Sequence, residues 1–297
     1  MPHPPAPLAL GGTTYSWMHQ ATLTEALRGL AEAGFTQVEL TTAAPHLQSG
    51  AAGTLERHAL VRELRALGLT PTSVNPGFLD INLLSPSNEF RALSLRAMLD
   101  ELELAADLGA PYVIAMPGRR HALSPAPDEA CRWWLDQALD TLVTRGEALG
   151  VALALETNPY GYLGSAAQLT EIADRVDSPW LGIAYDAANT LTVENVADGV
   201  RTAAHRLKIA HVSDTWRDRW VHTSPGRGEV DFAAYADALR EVGYTGPTIY
   251  ELIDMEPPGP RLARDIATFG QYGWTTEAVG DLPAAPRRRP AAQGEGS

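Results

Sequence analysis

Four short stretches of this 297-residue chain run through apolar residues and end in a group capable of acid–base or metal chemistry. They are "VALALETNP" with Glu156, "GIAYDAAN" with Asp186, "KIAHVSD" with His211 and "TIYELID" with Glu251. Any one of them alone reads as a strand that has reached water. Two glutamates, an aspartate and a histidine in the same relative position call for a common explanation. Three carboxylates held close together repel and raise one another's pKa unless a cation neutralises them. Oxygen donors with a single imidazole suit a hard or borderline divalent ion, Mn²⁺ or Mg²⁺ ahead of Zn²⁺ or Co²⁺.

Whether these groups meet depends on the elements that carry them. A helical segment, a glycine and an apolar strand recur in that order five times: "LAEAGFTQVEL", "LRALGLTPTSV", "AADLGAPYVIA", "GEALGVALALE" and "LREVGYTGPTI". The glycines, Gly34, Gly68, Gly109, Gly150 and Gly243, suit left-handed helix ends. Leu95, Met98, Leu102 and Ala105 give the segment before Gly109 a helical period, and Thr22 with Glu25 forms a capping box for the first helix. Strands are expected around 8–13, 36–41, 70–75, 111–116, 151–156, 181–186, 207–213 and 247–252, with a further helix near 260–270. Eight apolar strands separated by helices predict an α/β fold, a (β/α)₈ barrel in one catalytic domain over residues 1–278. A doubly wound open sheet is the alternative. In the barrel the C-terminal strand ends converge on one rim, so the four groups would gather there.

Bulk properties narrow the function classes. The formal net charge of −13 argues against a phosphate backbone as the main partner, and 45% hydrophobic residues provide for a sizeable core. One cysteine, Cys131, rules out an internal disulfide and a cysteine-rich zinc site and suits a reducing, cytoplasmic compartment. Neither a signal peptide nor a membrane-spanning run is visible, and no dinucleotide or P-loop glycine motif follows a strand. The segment 279–297, "DLPAAPRRRPAAQGEGS" with its preceding residues, is expected to be a disordered tail.

The ordered set Glu156, Asp186, His211, Glu251, together with "GFTQVEL" and "SPGRGEVDF", resembles the xylose-isomerase-like superfamily of sugar isomerases and epimerases over about residues 8–270. The resemblance implies that the four residues bind one divalent metal, and that Glu156 and Glu251 flank the substrate as proton acceptor and donor. It implies a carbohydrate substrate whose proton leaves carbon through a metal-stabilised cis-enediolate. Dehydratases and lyases occur on the same scaffold, and endonuclease IV is similar to it. The acidic charge and the eight histidines disfavour that nuclease. A barrel without catalysis remains a further alternative, and a homo-oligomer is compatible with the sequence.

Many relatives carry Asp-x-x-His where this chain has "DAAN", so Asn189 stands at a substrate-side histidine. The resemblance also makes Arg217 a candidate substrate ligand and gives the acidic Glu39 a supporting role. Asn75 in "SVNPG", and Arg119, Arg120 and His121 in "MPGRRH", end the third and fourth strands and are candidates for hydroxyls or an anion. For each of these, turn chemistry or a solvated loop is an equally good account. His222 precedes and Arg227 lies within "TSPGRG", a flexible-looking loop able to cover the site. Trp17, Trp216 and Trp220 are candidates to stack on sugar C–H faces, or simply to pack.

Overall fold

The structure is a computed structural model that describes residues 6–77, 80–254 and 256–279. From residue 280 onward the expected C-terminal tail lies outside the described residues. The strands are β1 (Leu8–Thr13), β2 (Gln37–Thr41), β3 (Thr70–Asn75), β4 (Tyr112–Ala115), β5 (Ala152–Glu156), β6 (Leu181–Asp186), β7 (Leu207–Val212), β8 (Asp214–Trp216), β9 (Arg219–Thr223), β10 (Thr248–Tyr250) and β11 (Trp274–Thr275). The helices are α1 (Leu23–Glu32), α2 (Thr54–Ala66), α3 (Asn88–Leu108), α4 (Asp128–Leu149), α5 (Ala166–Val176), α6 (Ala187–Thr190), α7 (Val196–Ala203), α8 (Phe232–Glu241) and α9 (Gly259–Gly270).

Strands β1 to β7 pair in chain order, β10 joins β7, and β10 returns to β1, so eight parallel strands close into a barrel. The open-sheet alternative is thereby excluded. Closure removes the exposed edges an open parallel sheet would leave. β8 and β9 form a separate antiparallel hairpin, which the sequence reading did not anticipate, and β11 adds to β1. The repeat that predicted the barrel is physical: Gly109 and Gly150 cap α3 and α4 in the left-handed region, and the other three glycines also have positive φ. Thr22 and Glu25 form the expected capping box.

Two apolar layers hold the barrel. The larger lies between the strands and the surrounding helices. The smaller is the barrel floor, where Ile114, Ala154, Ala184, Ile209 and Ile249 meet inside. Each isoleucine buried there contributes about 1.5–3 kcal/mol. Strand side chains alternate faces, so the residue two positions beyond each floor residue also points inward, one layer higher. Those residues are Met116, Glu156, Asp186, His211 and Glu251. The floor therefore sets which side chains reach the rim. Among the described residues no helix is long and apolar enough to cross a membrane.

Candidate active site

Above the floor, ligand atoms of Glu156, Asp186, His211 and Glu251 all lie within 4.8 Å of one another, and all four residues are buried. Register makes this possible: Asp186 sits opposite His211 on β6 and β7, and His211 sits opposite Ile249 on β10. Glu251 follows the last residue of β10 and is held there by its backbone N–H to Val212 O.

His211 is the hub. Its Nδ1 lies 3.0 Å from Glu156 Oε1, 3.6 Å from Glu251 Oε2 and 3.8 Å from Asp186 Oδ2. Behind it, Nε2 lies 3.1 Å from Glu39 Oε2. Glu39 is itself fixed by Ser73 Oγ at 2.7 Å and Asn75 Nδ2 at 2.9 Å. Between Val38 and Glu39 the pairing skips Thr72 of β3, which sets Glu39 opposite Ser73. A carboxylate behind a ring N–H is the usual way to orient an imidazole towards a metal. The supporting role implied for Glu39 thus takes the form of a direct contact.

The electrostatics match a concentrated acidic centre. Burial pushes Glu251 up to about 8, and burial likewise raises Glu156. Burial disfavours a charged His211, but the carboxylates of Glu39 and Glu251 outweigh it and hold the imidazole well above its ordinary range. Asp186 uses Oδ1 to accept the N–H groups of Ala188 and Asn189 at 2.6 and 3.0 Å, which caps α6. Its Oδ2 is buried with no hydrogen-bond partner. An orphaned carboxylate oxygen, two further carboxylates and an imidazole facing a common point form a donor set that fits a divalent cation.

The site opens into a cavity of about 300 Å³. Its polar side carries Glu156, Glu251, Asn75, Asn158, Asn189 and His222, and its apolar side includes Ile81, Met98, Met116, Val221 and Ile253. Asn75 therefore lines the cavity, and its Nδ2 also reaches Glu251 Oε1 at 3.2 Å. Asn189 lines it too, but its Oδ1 is taken up by Trp220 Nε1 and His222 Nε2. His222 reaches into the centre from the β8–β9 hairpin, 3.3 Å from Glu251 Oε2.

The cationic candidates are not brought to the cavity. Arg217 is exposed and donates to Leu191 O at 3.4 Å. Arg119, Arg120 and His121 are exposed, with Arg120 donating to Ala126 O and His121 Nδ1 accepting from Leu123 and Ser124. Arg227 is exposed on a segment that is tied down rather than loose: buried Asp214 accepts the N–H groups of Gly228 and Val230 at 2.7 and 3.1 Å. Of the three tryptophans only Trp220 lines the cavity; Trp216 stacks beneath the Arg219 guanidinium. The sequence reading missed Tyr15, whose hydroxyl donates to Gly77 O at 2.6 Å, and Asn158. Tyr15 lies two residues past the end of β1, on the same rim as the strand-end acids, so its position was a usable signal. Burial, with Glu251 and Glu156 nearby, pushes its phenol up to about 12.

The family model of the xylose isomerase-like TIM barrel matches residues 27–271. The chain belongs to that family. Among curated proteins it is 28% identical over 237 residues to an uncharacterized protein of Methanocaldococcus jannaschii, covering 76% of this chain and 77% of that one. It is 26% identical over 200 residues to L-ribulose-5-phosphate 3-epimerase of Shigella flexneri, covering 67% and 70%. Among solved structures it resembles a D-tagatose 3-epimerase-like protein, with a TM-score of 0.79, 22% identity and coverage of 89% and 97%. It also resembles the 3-keto-D-glucoside 4-epimerase of E. coli, with a TM-score of 0.75, 20% identity and coverage of 89% and 99%. The named curated relative is thus a sugar epimerase, an isomerase-class enzyme, and the two solved structures share the barrel fold.

Proposed function

We propose that this chain is a divalent-metal-dependent isomerase or epimerase of a keto-sugar or related polyol, working by proton abstraction through a cis-enediolate. The observation that carries the reading is the joint position of Glu156 and Glu251, which belong to the buried donor set and also line the cavity. Held by Glu156, Asp186, His211 and Glu251, a divalent ion, Mn²⁺ or Mg²⁺ first, would supply the positive charge against which two neighbouring substrate oxygens collect negative charge.

The chain's own residues do the rest. Asn75 Nδ2, 3.2 Å away, donates to Glu251, and Glu156 ends β5 within the same buried set, so both carboxylates are in place before substrate arrives. One takes the proton from carbon. For epimerisation the other returns a proton to the opposite face; for isomerisation one carboxylate carries it to the adjacent carbon. Contact with the ion would lower the basicity of both carboxylates, and would lower the pKa of the substrate C–H by more. Asn158 and Asn189 offer amides to hydroxyls, while Met116, Ile253 and Trp220 offer apolar surface to C–H faces and exclude water. Among the described residues that line the cavity there is no lysine or arginine, which favours an uncharged sugar over a sugar phosphate.

The test is incubation with Mn²⁺ and a panel of keto-sugars, their phosphates and inositol derivatives in D₂O. Deuterium incorporation at carbon in a product of otherwise unchanged mass is expected for at least one uncharged compound. Glu156→Gln and Glu251→Gln should each abolish it. A variant of either glutamate that retains near wild-type exchange would disprove the two-carboxylate mechanism, and a product lighter by a water molecule would identify a dehydratase instead.

A further inference from the structure

We propose that His222 is a fifth protein donor to the divalent ion of this centre, held in the donor form by Asn189. The inference rests on the metal reading of the four strand-end residues.

Trp220 Nε1–H can only donate, and it lies 2.5 Å from Asn189, so the atom it meets is the amide oxygen Oδ1. The same oxygen lies 3.2 Å from His222 Nε2, which must therefore carry a proton. In the neutral ring this leaves Nδ1 with its lone pair. Nδ1 points inward, 3.3 Å from Glu251 Oε2 and 3.8 Å from Asp186 Oδ2. His211 is built in the same way. Its Nε2 is held by Glu39 Oε2 at 3.1 Å, and its Nδ1 lies 3.6 and 3.8 Å from those same two oxygens. Two imidazoles therefore present Nδ1 to one pair of carboxylate oxygens at matching distances, each ring backed by an oxygen acceptor.

With their protons displaced, the two carboxylate oxygens and two ring nitrogens would turn lone pairs towards one point, an arrangement that a cation fills. Asp186 Oδ2, wholly buried and without a partner, marks the direction in which that cation is missing a ligand contact. Ser213 Oγ, 3.1 Å from His222 Nδ1, can donate to the lone pair in the metal-free protein, and a hydroxyl hydrogen rotates readily when another partner takes its place. Asn189 is then a positioning residue, acting through His222. A second nitrogen donor shifts preference towards ions that favour imidazole, such as Co²⁺, relative to Mg²⁺.

Calorimetric titration of the full chain with Co²⁺ and with Mg²⁺ tests this on wild type, His222→Gln and His222→Asn. Glutamine reaches the Nε2 end of the ring and removes the donor at Nδ1, whereas asparagine sets its amide near Nδ1. In His222→Gln, Co²⁺ affinity is expected to fall about tenfold or more and the visible spectrum of the Co²⁺ protein to change, with Mg²⁺ affinity altered by less than about threefold. His222→Asn should recover part of the Co²⁺ affinity, with a spectrum that differs from wild type. Unchanged Co²⁺ affinity and spectrum in His222→Gln would overturn the inference and leave the four-residue site standing. If His222→Gln does not fold, a His222→Asn spectrum identical to wild type overturns it equally. Wild type that binds neither ion overturns the metal reading and this inference together.

Discussion

In the proposed mechanism Glu251 combines two roles that are in tension, a ligand that must be ionised and a buried acid that resists ionisation. Desolvation pushes it up to about 8, and Glu156 is raised for the same reason. A bound cation requires both as carboxylates, so binding near neutrality must expel protons, including the one that His211 retains beside these acids. Protons compete more strongly as pH falls. Mn²⁺ affinity should therefore rise as pH increases from about 6 to about 8. At pH 7, calorimetry in two buffers of different ionisation heat should report proton release; identical heats in both would show that these groups are already ionised. The strand-end acids were legible in the sequence because alternation along a strand fixes which face a side chain takes. Arg217 and Arg119 were not, because a long arginine on a loop is directed by whichever carbonyl or solvent it meets.

At the scale of elements, the β8–β9 hairpin decides what the cavity contains. It delivers Trp220, Val221 and His222, and it is anchored by Asp214, which accepts from Thr215, Gly228 and Val230. Ser224 Oγ further ties the end of the hairpin to Asp265, which Tyr250 also contacts. Gly228 has no room for a side chain, since a Cβ there would stand 2.1 Å from Thr215 O. Asp214→Ala leaves three inward N–H groups without their carboxylate and should cost about 2–4 kcal/mol in urea denaturation, with metal affinity lowered as His222 shifts. A variant as stable as wild type would mean that other groups hold the segment. "TSPGRG" looked loose because its composition is that of a turn; nothing in the string shows that a buried aspartate fourteen residues before Gly228 binds it.

For the whole molecule, a buried acid away from the candidate site sets a pH dependence of stability. Glu101 on α3 accepts from Thr42 Oγ1 at 2.8 Å and Ser49 Oγ at 2.7 Å, and burial pushes it up to about 7 from an ordinary 4.5. Because the folded-state pKa is raised, Glu101 has no effect on stability below the unfolded value. Between about 4.5 and 7 the unfolded chain releases the proton first, so stability falls with rising pH and then levels off. The full loss is about 3 kcal/mol. Glu101→Gln should remove this slope and be more stable than wild type at pH 8 in urea denaturation. The same pH dependence in both proteins would rule out Glu101 as its source.

The sequence by itself determined the barrel and its strand-end chemistry. Glycine-terminated helices, apolar strands of matching length and a period of two are local properties, and eight such units restrict the sheet to few closures. Those local rules place Glu156, Asp186, His211 and Glu251 on one rim. Only the tertiary structure decided which groups surround them: Glu39 behind His211, Tyr15 across the cavity, the arginines turned outward, and His222 carried in by a hairpin. These pairings join residues far apart in the chain, through bulges, caps and hydrogen bonds whose partners are fixed only when the strands close. Asn189 shows the difference most clearly. In the sequence it stands where relatives place a histidine, and in three dimensions it holds a histidine supplied from another element.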